Sequence, residues 1–284
     1  MDIAKIAIKY WRVFMSSREL AVSGAFYPQT CQEIKKYMTH FNTILKQNNI
    51  NLGFKNTRAI IAPHAGYIYS GFSANLAYKS IDDCENIKRV VVIGPSHRVY
   101  VEGVSVAKFD NYPSPCGDLS IDIEFSKKLL EDYPFASFNP QAHNEHSTET
   151  QIPFIKEYLP NTKVVEIVYG KIEYELLSRM ISEILEDSST FLVISTDLSH
   201  FHNLQKAKEL DNICLNAIIK KELALFDSGC EACGLIGVKA LMQVAKKINL
   251  SVNFLDYRTS FDATKDDKSV VGYTSFILTK ENSE

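Results

Sequence analysis

Residues 58–62, 89–93 and 190–195 are short runs dominated by Val, Ile, Leu, Phe and Ala that stay apolar instead of alternating with polar residues. Successive side chains of a strand point to opposite faces of its sheet, so an unbroken apolar run belongs to a strand covered on both faces. Residues 163–168, 251–257 and 270–278 read as further strands, and 103–109 as a weaker one. Helix-period stretches at 30–47, 71–80, 122–132, 172–186, 203–220 and 234–247 lie among them. This alternation predicts an α/β fold, with a central, mostly parallel or mixed sheet flanked by helices. Residues 17–284 show no repeat, low-complexity linker or break in composition, so one layered domain is expected there. The segment 109–119, with Pro113, Pro115 and Gly117, reads as an irregular covering loop, and 259–268 as a solvated loop.

Composition excludes several functions. The 284 residues carry a net charge of −3, with Lys and Arg scattered instead of gathered into the basic face that nucleic acid requires. No apolar run approaches the roughly 18–20 residues of a membrane span. Residues 1–16 lack the ordered regions of a secretory signal, so a cytoplasmic location is expected. Two readings of that extension stand open: an amphipathic helix over residues 1–14, or a start upstream of a natural beginning at Met15. The six cysteines are too sparse for a disulfide framework, so reduced thiols are expected. The pair Cys230 and Cys233 has C-x-x-C spacing, compatible with redox chemistry, metal binding or chance.

Each of the three strongest strands leads into a turn that carries a histidine. These turns are Pro63-His64-Ala65-Gly66-Tyr67, Gly94-Pro95-Ser96-His97, and Thr196-Asp197-Leu198-Ser199-His200. Ligands of open α/β sheets bind beyond the carboxyl ends of the strands, where parallel neighbours bring their ends together. His64, His97 and His200 are therefore candidates for one crevice. His146 in Asn144-Glu145-His146-Ser147 stands before a helix start, with Thr148 and Gln151 at capping-box spacing. A helix N-terminus favours neutral imidazole, able to accept a proton or bind a metal. Tyr67 and Tyr69 read either as pocket lining or as core aromatics. His40 and His202 lack such a setting and read as surface residues, and His143, although near His146, reads as an ordinary hydrogen-bonded surface or core residue.

These motifs, together with Ser23-Gly24-Ala25-Phe26-Tyr27-Pro28, Glu149, and Cys233-Gly234 followed by Gly237, resemble those of the Memo family in order and spacing over about residues 20–280. The resemblance implies the fold of the class III extradiol dioxygenases, which hold non-haem Fe(II) with two histidines and a glutamate. His64 and His97 match the metal-binding histidines, and Cys233 stands where the ring-cleaving enzymes use the glutamate. Asp197 and His200 look like the polar pair beside the metal, and His146 resembles the dioxygenases' acid/base histidine. Memo proteins bind iron or copper, and in animals they are linked to cell motility and phosphotyrosine peptides. Many microbial relatives are named for an association with a radical-SAM protein and a small companion domain.

A thiolate in place of the carboxylate softens the ligand set towards copper(I) or zinc and adds an oxidisable donor, which argues against ring cleavage. Cys230 could serve as a spare ligand or close a disulfide with Cys233. The expected function is metal-dependent redox chemistry on a small-molecule or peptide ligand, with iron(II) or copper(I), or zinc, at His64, His97 and Cys233. On this reading His146 and His200 move protons or hold substrate, and Asp197 fixes a histidine tautomer. Two other classes remain open: a non-enzymatic binding module, and a copper chaperone or buffer.

Overall fold

A computed structural model describes residues 18–50 and 52–280 of the chain. The reading of residues 1–14 as an amphipathic helix therefore lies outside the described residues. The strands are β1 (Thr57–Ala62), β2 (Arg89–Pro95), β3 (Val104–Val106), β4 (Asn111–Tyr112), β5 (Leu119–Ser120), β6 (Ala136–Ser137), β7 (Lys163–Tyr169), β8 (Thr190–Ser195), β9 (His200–His202), β10 (Leu250–Thr259) and β11 (Val270–Lys280). The α-helices are α1 (Cys31–Gln47), α2 (Tyr67–Lys79), α3 (Ile123–Asp132), α4 (His146–Glu149), α5 (Ile152–Tyr158), α6 (Tyr174–Ile184), α7 (Leu204–Lys220), α8 (Leu223–Phe226), α9 (Leu235–Lys247) and α10 (Phe261–Thr264).

The principal sheet runs β10-β11-β1-β8-β2-β7-β3-β6, with β9 also paired to β11. Its centre is parallel: β8 lies between β1 and β2, and β2 continues to β7. Antiparallel strands β10, β11 and β9 extend one side, and the antiparallel β3–β7 pairing extends the other. The mixed sheet agrees with the fold expected from the strand and helix patterns.

The continuous apolar runs are explained by two cores. Ala59, Ile61, Val91, Ile93, Val165 and Ile167 pack on one face with residues of α6, α7 and α9. Ile60, Val90, Val92, Val164 and Val193 pack on the other with residues of α1, α2 and α5. In α1 the apolar stripe is Ile34, Met38, Phe41 and Leu45, spaced to share one face, and each such burial contributes about 1.5–3 kcal/mol. Thr30 caps this helix by accepting the Glu33 N–H, and the chain leaves it through Asn49 at a φ of 50°. Helix α2 is buried on most sides and begins at Tyr67, four residues before the stretch that periodicity marked.

Several local expectations are corrected. The 109–119 segment contains the β4–β5 hairpin, and the 259–268 loop contains α10. The expectation of reduced thiols fails, because Cys31 bonds Cys116 and Cys214 bonds Cys230. Folding brings these partners' Cα atoms to 4.6 and 4.9 Å across sequence separations of 85 and 16 residues, a proximity that spacing alone does not reveal. Cys230 is thereby neither a spare ligand nor bonded to Cys233, which stays a free thiol. The Cys31–Cys116 bond ties the hairpin segment to the start of α1.

Candidate metal centre

The strand order explains why distant histidines meet. Ala62 of β1 is in register with Ser195 of β8, and Ile93 of β2 with Ile194, so the three carboxyl ends finish side by side. The turn after β1 delivers His64, the turn after β2 delivers His97, and the turn after β8 delivers Asp197. Cys233 arrives from the opposite direction, just before α9. Its N–H donates to Asp197 O at 3.3 Å, and the Gly234 N–H donates to Thr196 Oγ1 at 2.8 Å. A Cβ on Gly234 would come within 2.5 Å of the Thr196 side chain, so this docking requires glycine.

Donor atoms of His64, His97 and Cys233 all lie within 4.8 Å of one another. His64 Nε2 is 3.3 Å from Cys233 Sγ, and His64 Nδ1 is 3.0 Å from Ser195 Oγ on the far side of the ring. Gln151 donates to both Ser195 Oγ and Pro63 O at 2.9 Å, fixing the floor beneath His64. His64 is buried, Cys233 half-buried and His97 exposed, so the cluster opens to solvent on one side. Two imidazoles and a thiol with one open face form a donor set suited to a borderline or soft cation with room for a further ligand.

Electrostatics agree with that fit. Burial, reinforced by the neighbouring Asp197, pushes the Cys233 thiol up to about 12. Burial also raises the Asp197 carboxyl, although the backbone N–H of His64 and the nearby His200 and His146 work against it. Burial lowers His64 well below its ordinary range, and His146 and His97 add to the effect. Every one of these shifts disfavours ionisation in the metal-free protein. A bound cation offsets the cost of the thiolate and uses the neutral imidazole, and its binding releases the thiol proton.

His146 stands beside this set. Its ring centroid is 5.2 Å from that of His64 and 4.5 Å from that of His97. The Phe26 ring covers it at 4.7 Å. Helix α4 can press against the end of β2 because position 94 is glycine: a Cβ there would come within 2.6 Å of Ser147 Oγ. Ser147 completes the contact by donating to Pro95 O at 2.7 Å. The capping box expected from Thr148 and Gln151 does not form. Glu145 caps α4 by accepting the Ser147 N–H, Thr148 donates to Glu166, and Gln151 holds Pro63 and Ser195.

Other predicted residues take different positions. Asp197 Oδ1 accepts the His64 backbone N–H at 2.7 Å, so it steers the turn instead of contacting a histidine ring; Ser195 contacts the His64 ring. His200 is half-buried on β9 and bears electrostatically on Asp197 and His64 without joining the close donor set. Tyr67 is core, donating to Thr150 O and stacking on Phe154, whereas Tyr69 is partly exposed. His40 is exposed and His202 pairs with Glu231, whereas His143 is wholly buried and takes the core alternative of its reading. Its Nδ1 is 2.9 Å from Glu166 Oε2 and its Nε2 is 2.9 Å from Ser105 Oγ. That order resembles a hydrolase triad, yet all three residues are fully buried and Ser105 Oγ accepts the Asn139 N–H. It offers no exposed nucleophile, and we read it as structural.

Four charged residues had no role assigned from the sequence: Glu145 and Glu149, which belong to the quoted motifs, and Glu166 and Arg18, which do not. Glu145 contacts His97 and His146. Arg18 Nη1 donates to Glu149 at 2.7 Å and its Nε to Glu166 at 3.3 Å, with the guanidinium over the Tyr112 ring. Glu149 also accepts from the Ala21 and Val22 N–H groups and from the Tyr27 hydroxyl. It thereby fastens the segment that carries Phe26 across the crevice wall. Glu166 interrupts the apolar run of β7, and that interruption is the one signal in the sequence that marks a buried charge.

The sequence of this chain is similar to those of known proteins. The family described as Memo-like protein matches residues 18–277. A MEMO1 family protein of Aquifex aeolicus is 34% identical over 275 residues, covering 93% of this chain and all of the relative. One from Methanococcus maripaludis is 31% identical over 285 residues, covering 92% of this chain and 99% of its own. A crystal structure of an uncharacterised Escherichia coli K12 protein superposes with a TM-score of 0.51 at 12% identity. It covers 78% of this chain and 99% of that one, a likeness that concerns the fold. With its motifs assembled at the ends of three adjacent strands and its family matched over almost the whole length, the chain belongs to the Memo family.

Proposed function

We propose that the protein binds one transition-metal ion through His64, His97 and Cys233 and uses it in redox chemistry on an organic or peptide ligand held in the crevice. Iron(II) and copper(I) are the metals of choice, with zinc as the redox-inert alternative. The observation that carries this reading is the convergence of two imidazoles and a thiol, from three separated turns, within 4.8 Å at an open crevice. When bound, iron or copper would supply Lewis acidity and a one-electron couple. The protein's own part is to hold the donors, exclude water on the buried His64 side, and handle protons. His146, beside the donor set, is the group to accept a proton from an acidic hydroxyl of the ligand. His200 bears on the same space, and Asp197 keeps the His64 turn in place. Ring cleavage is not part of the proposal, because a thiolate takes the carboxylate's place and is itself oxidisable. A radical-SAM protein and its small companion domain are the partners we propose from the family association.

The test is anaerobic metal competition on the parent, Cys233→Glu and Cys233→Ser. Glutamate should shift preference from copper(I) towards iron(II), and serine should lower affinity for both, since a neutral hydroxyl is a poor ligand. Identical affinities for the three proteins would remove Cys233 from the metal and leave a ligand-binding crevice without it.

A further inference from the structure

Glu145 is fully buried, and one of its oxygens serves both the exposed His97 and the half-buried His146 of the crevice. Its Oε1 lies 3.1 Å from His97 Nδ1 and 2.8 Å from His146 Nδ1, and also accepts the Ser147 N–H at 3.2 Å. Its Oε2 accepts the His97 backbone N–H at 2.6 Å. An ionised carboxylate has acceptors only, so each ring can make its bond only by donating an Nδ1 proton. A neutral imidazole has one ring proton, and using it at Nδ1 leaves Nε2 as a bare lone pair.

We infer that Glu145 is a positioning residue that fixes His97 and His146 together in the Nδ1-protonated tautomer, presenting one Nε2 for the metal and the other as a free base beside it. The inference rests on the metal site proposed above. The contrast with His64 supports it: the Ser195 hydroxyl can either donate or accept, so its contact leaves that ring's tautomer free. Two backbone N–H groups and two imidazole nitrogens face the Glu145 carboxyl, all of them positions that call for an acceptor. The same three residues could in principle trap a cation directly, since their donor atoms also lie within 4.8 Å of one another. The ring-to-carboxylate separations of 2.8 and 3.1 Å are hydrogen-bond lengths, however, and they leave no space for an ion between the partners.

Glutamine cannot do the same work. With its carbonyl towards the rings, its NH2 faces the His97 backbone N–H, donor against donor. With its NH2 towards the rings, it forces a lone pair onto Nδ1 and the proton onto Nε2. Long-range proton–nitrogen correlation spectra of the 15N-labelled, metal-free parent, at a pH where the histidines are neutral, read the tautomer directly. Both His97 and His146 should be protonated at Nδ1, and Glu145→Gln should populate the Nε2-protonated form. Cobalt(II) affinity in the same variant should fall about 10–100-fold. A parent spectrum with either ring protonated at Nε2 would overturn the inference. So would a Glu145→Gln protein with the parent's circular dichroism and undiminished cobalt affinity. Cobalt-loaded parent lacking a thiolate charge-transfer band, with both Nδ1 protons displaced, would place the ion at Glu145 and also overturn it. The tautomer is read without metal, so failure of the Cys233 test and failure of this one are separable. If Glu145→Gln does not fold, the parent spectrum decides alone.

Discussion

Replacing Arg18 with methionine should cost the protein about 3–5 kcal/mol at neutral pH, the usual penalty for stranding a buried charge. The cation lies between two carboxylates, 2.7 Å from Glu149 and 3.3 Å from Glu166, and all three side chains are essentially inaccessible. The lower end of the range is expected, because neither carboxylate is left bare. Glu149 keeps two backbone N–H donors and Tyr27, and Glu166 keeps Thr148, Tyr112 and His143. Burial would raise Glu166, but Arg18, His143 and the Thr148 hydrogen bond together hold it at about 2 instead of 4.5, and the share of that depression due to Arg18 is lost in the variant. The pH dependence follows from that depression. In the parent, the contribution of Glu166 is complete above its unfolded value near 4.5 and fades as pH falls towards 2. In the variant the burial effect is less opposed, so Glu166 takes up a proton more readily in the folded state. The deficit should therefore be largest near neutrality and shrink on acidification. Urea unfolding of parent and Arg18→Met at pH 7.5 and 5.0 measures both quantities. A deficit below about 1 kcal/mol, or one that grows on acidification, would refute the reasoning.

His200→Ala should retain its metal, because His200 lies outside the close donor set, while ligand binding or turnover changes; metal loss together with function would move His200 among the ligands. The Cys214→Ser/Cys230→Ser double variant should lose about 3 kcal/mol, the loop-closure expectation for a link across 16 residues. Denaturant unfolding of oxidised parent against the variant checks this, and equal midpoints would mean that the bond contributes nothing in solution.

The strands were legible because burial on both faces leaves an unbroken apolar run, and β1, β2 and β8 are such runs. The start of α2 was not, since Gly66 supplies no side-chain cap and the helix is buried almost all round, which erases its periodicity. The disulfides were illegible for a related reason. Cys31 and Cys116 sit in segments 85 residues apart, and no local pattern encodes that the loop of the hairpin meets the start of α1.

At the site, the sequence disclosed donors but not the groups that aim them. His64, His97 and Asp197 each follow a buried strand, so their convergence follows from strand order alone. The orientation of the rings depends on contacts that span the chain. Glu145 reaches His97 across 48 residues, and Ser195 reaches His64 across 131. The assignment of Asp197 as a tautomer-setting group failed on this distinction: a carboxylate in the right turn bonded a backbone N–H, and hydroxyl and glutamate side chains contacted the rings. Buried charge is similarly concealed. Nothing nearby in sequence pairs with His143, so its place on the surface or in the core stayed open, whereas Glu166, in the middle of an apolar strand, could only be tolerated with partners. A charged residue inside an otherwise continuous apolar run thus marks an internal network, and here that network fastens the segment whose Phe26 closes over His146.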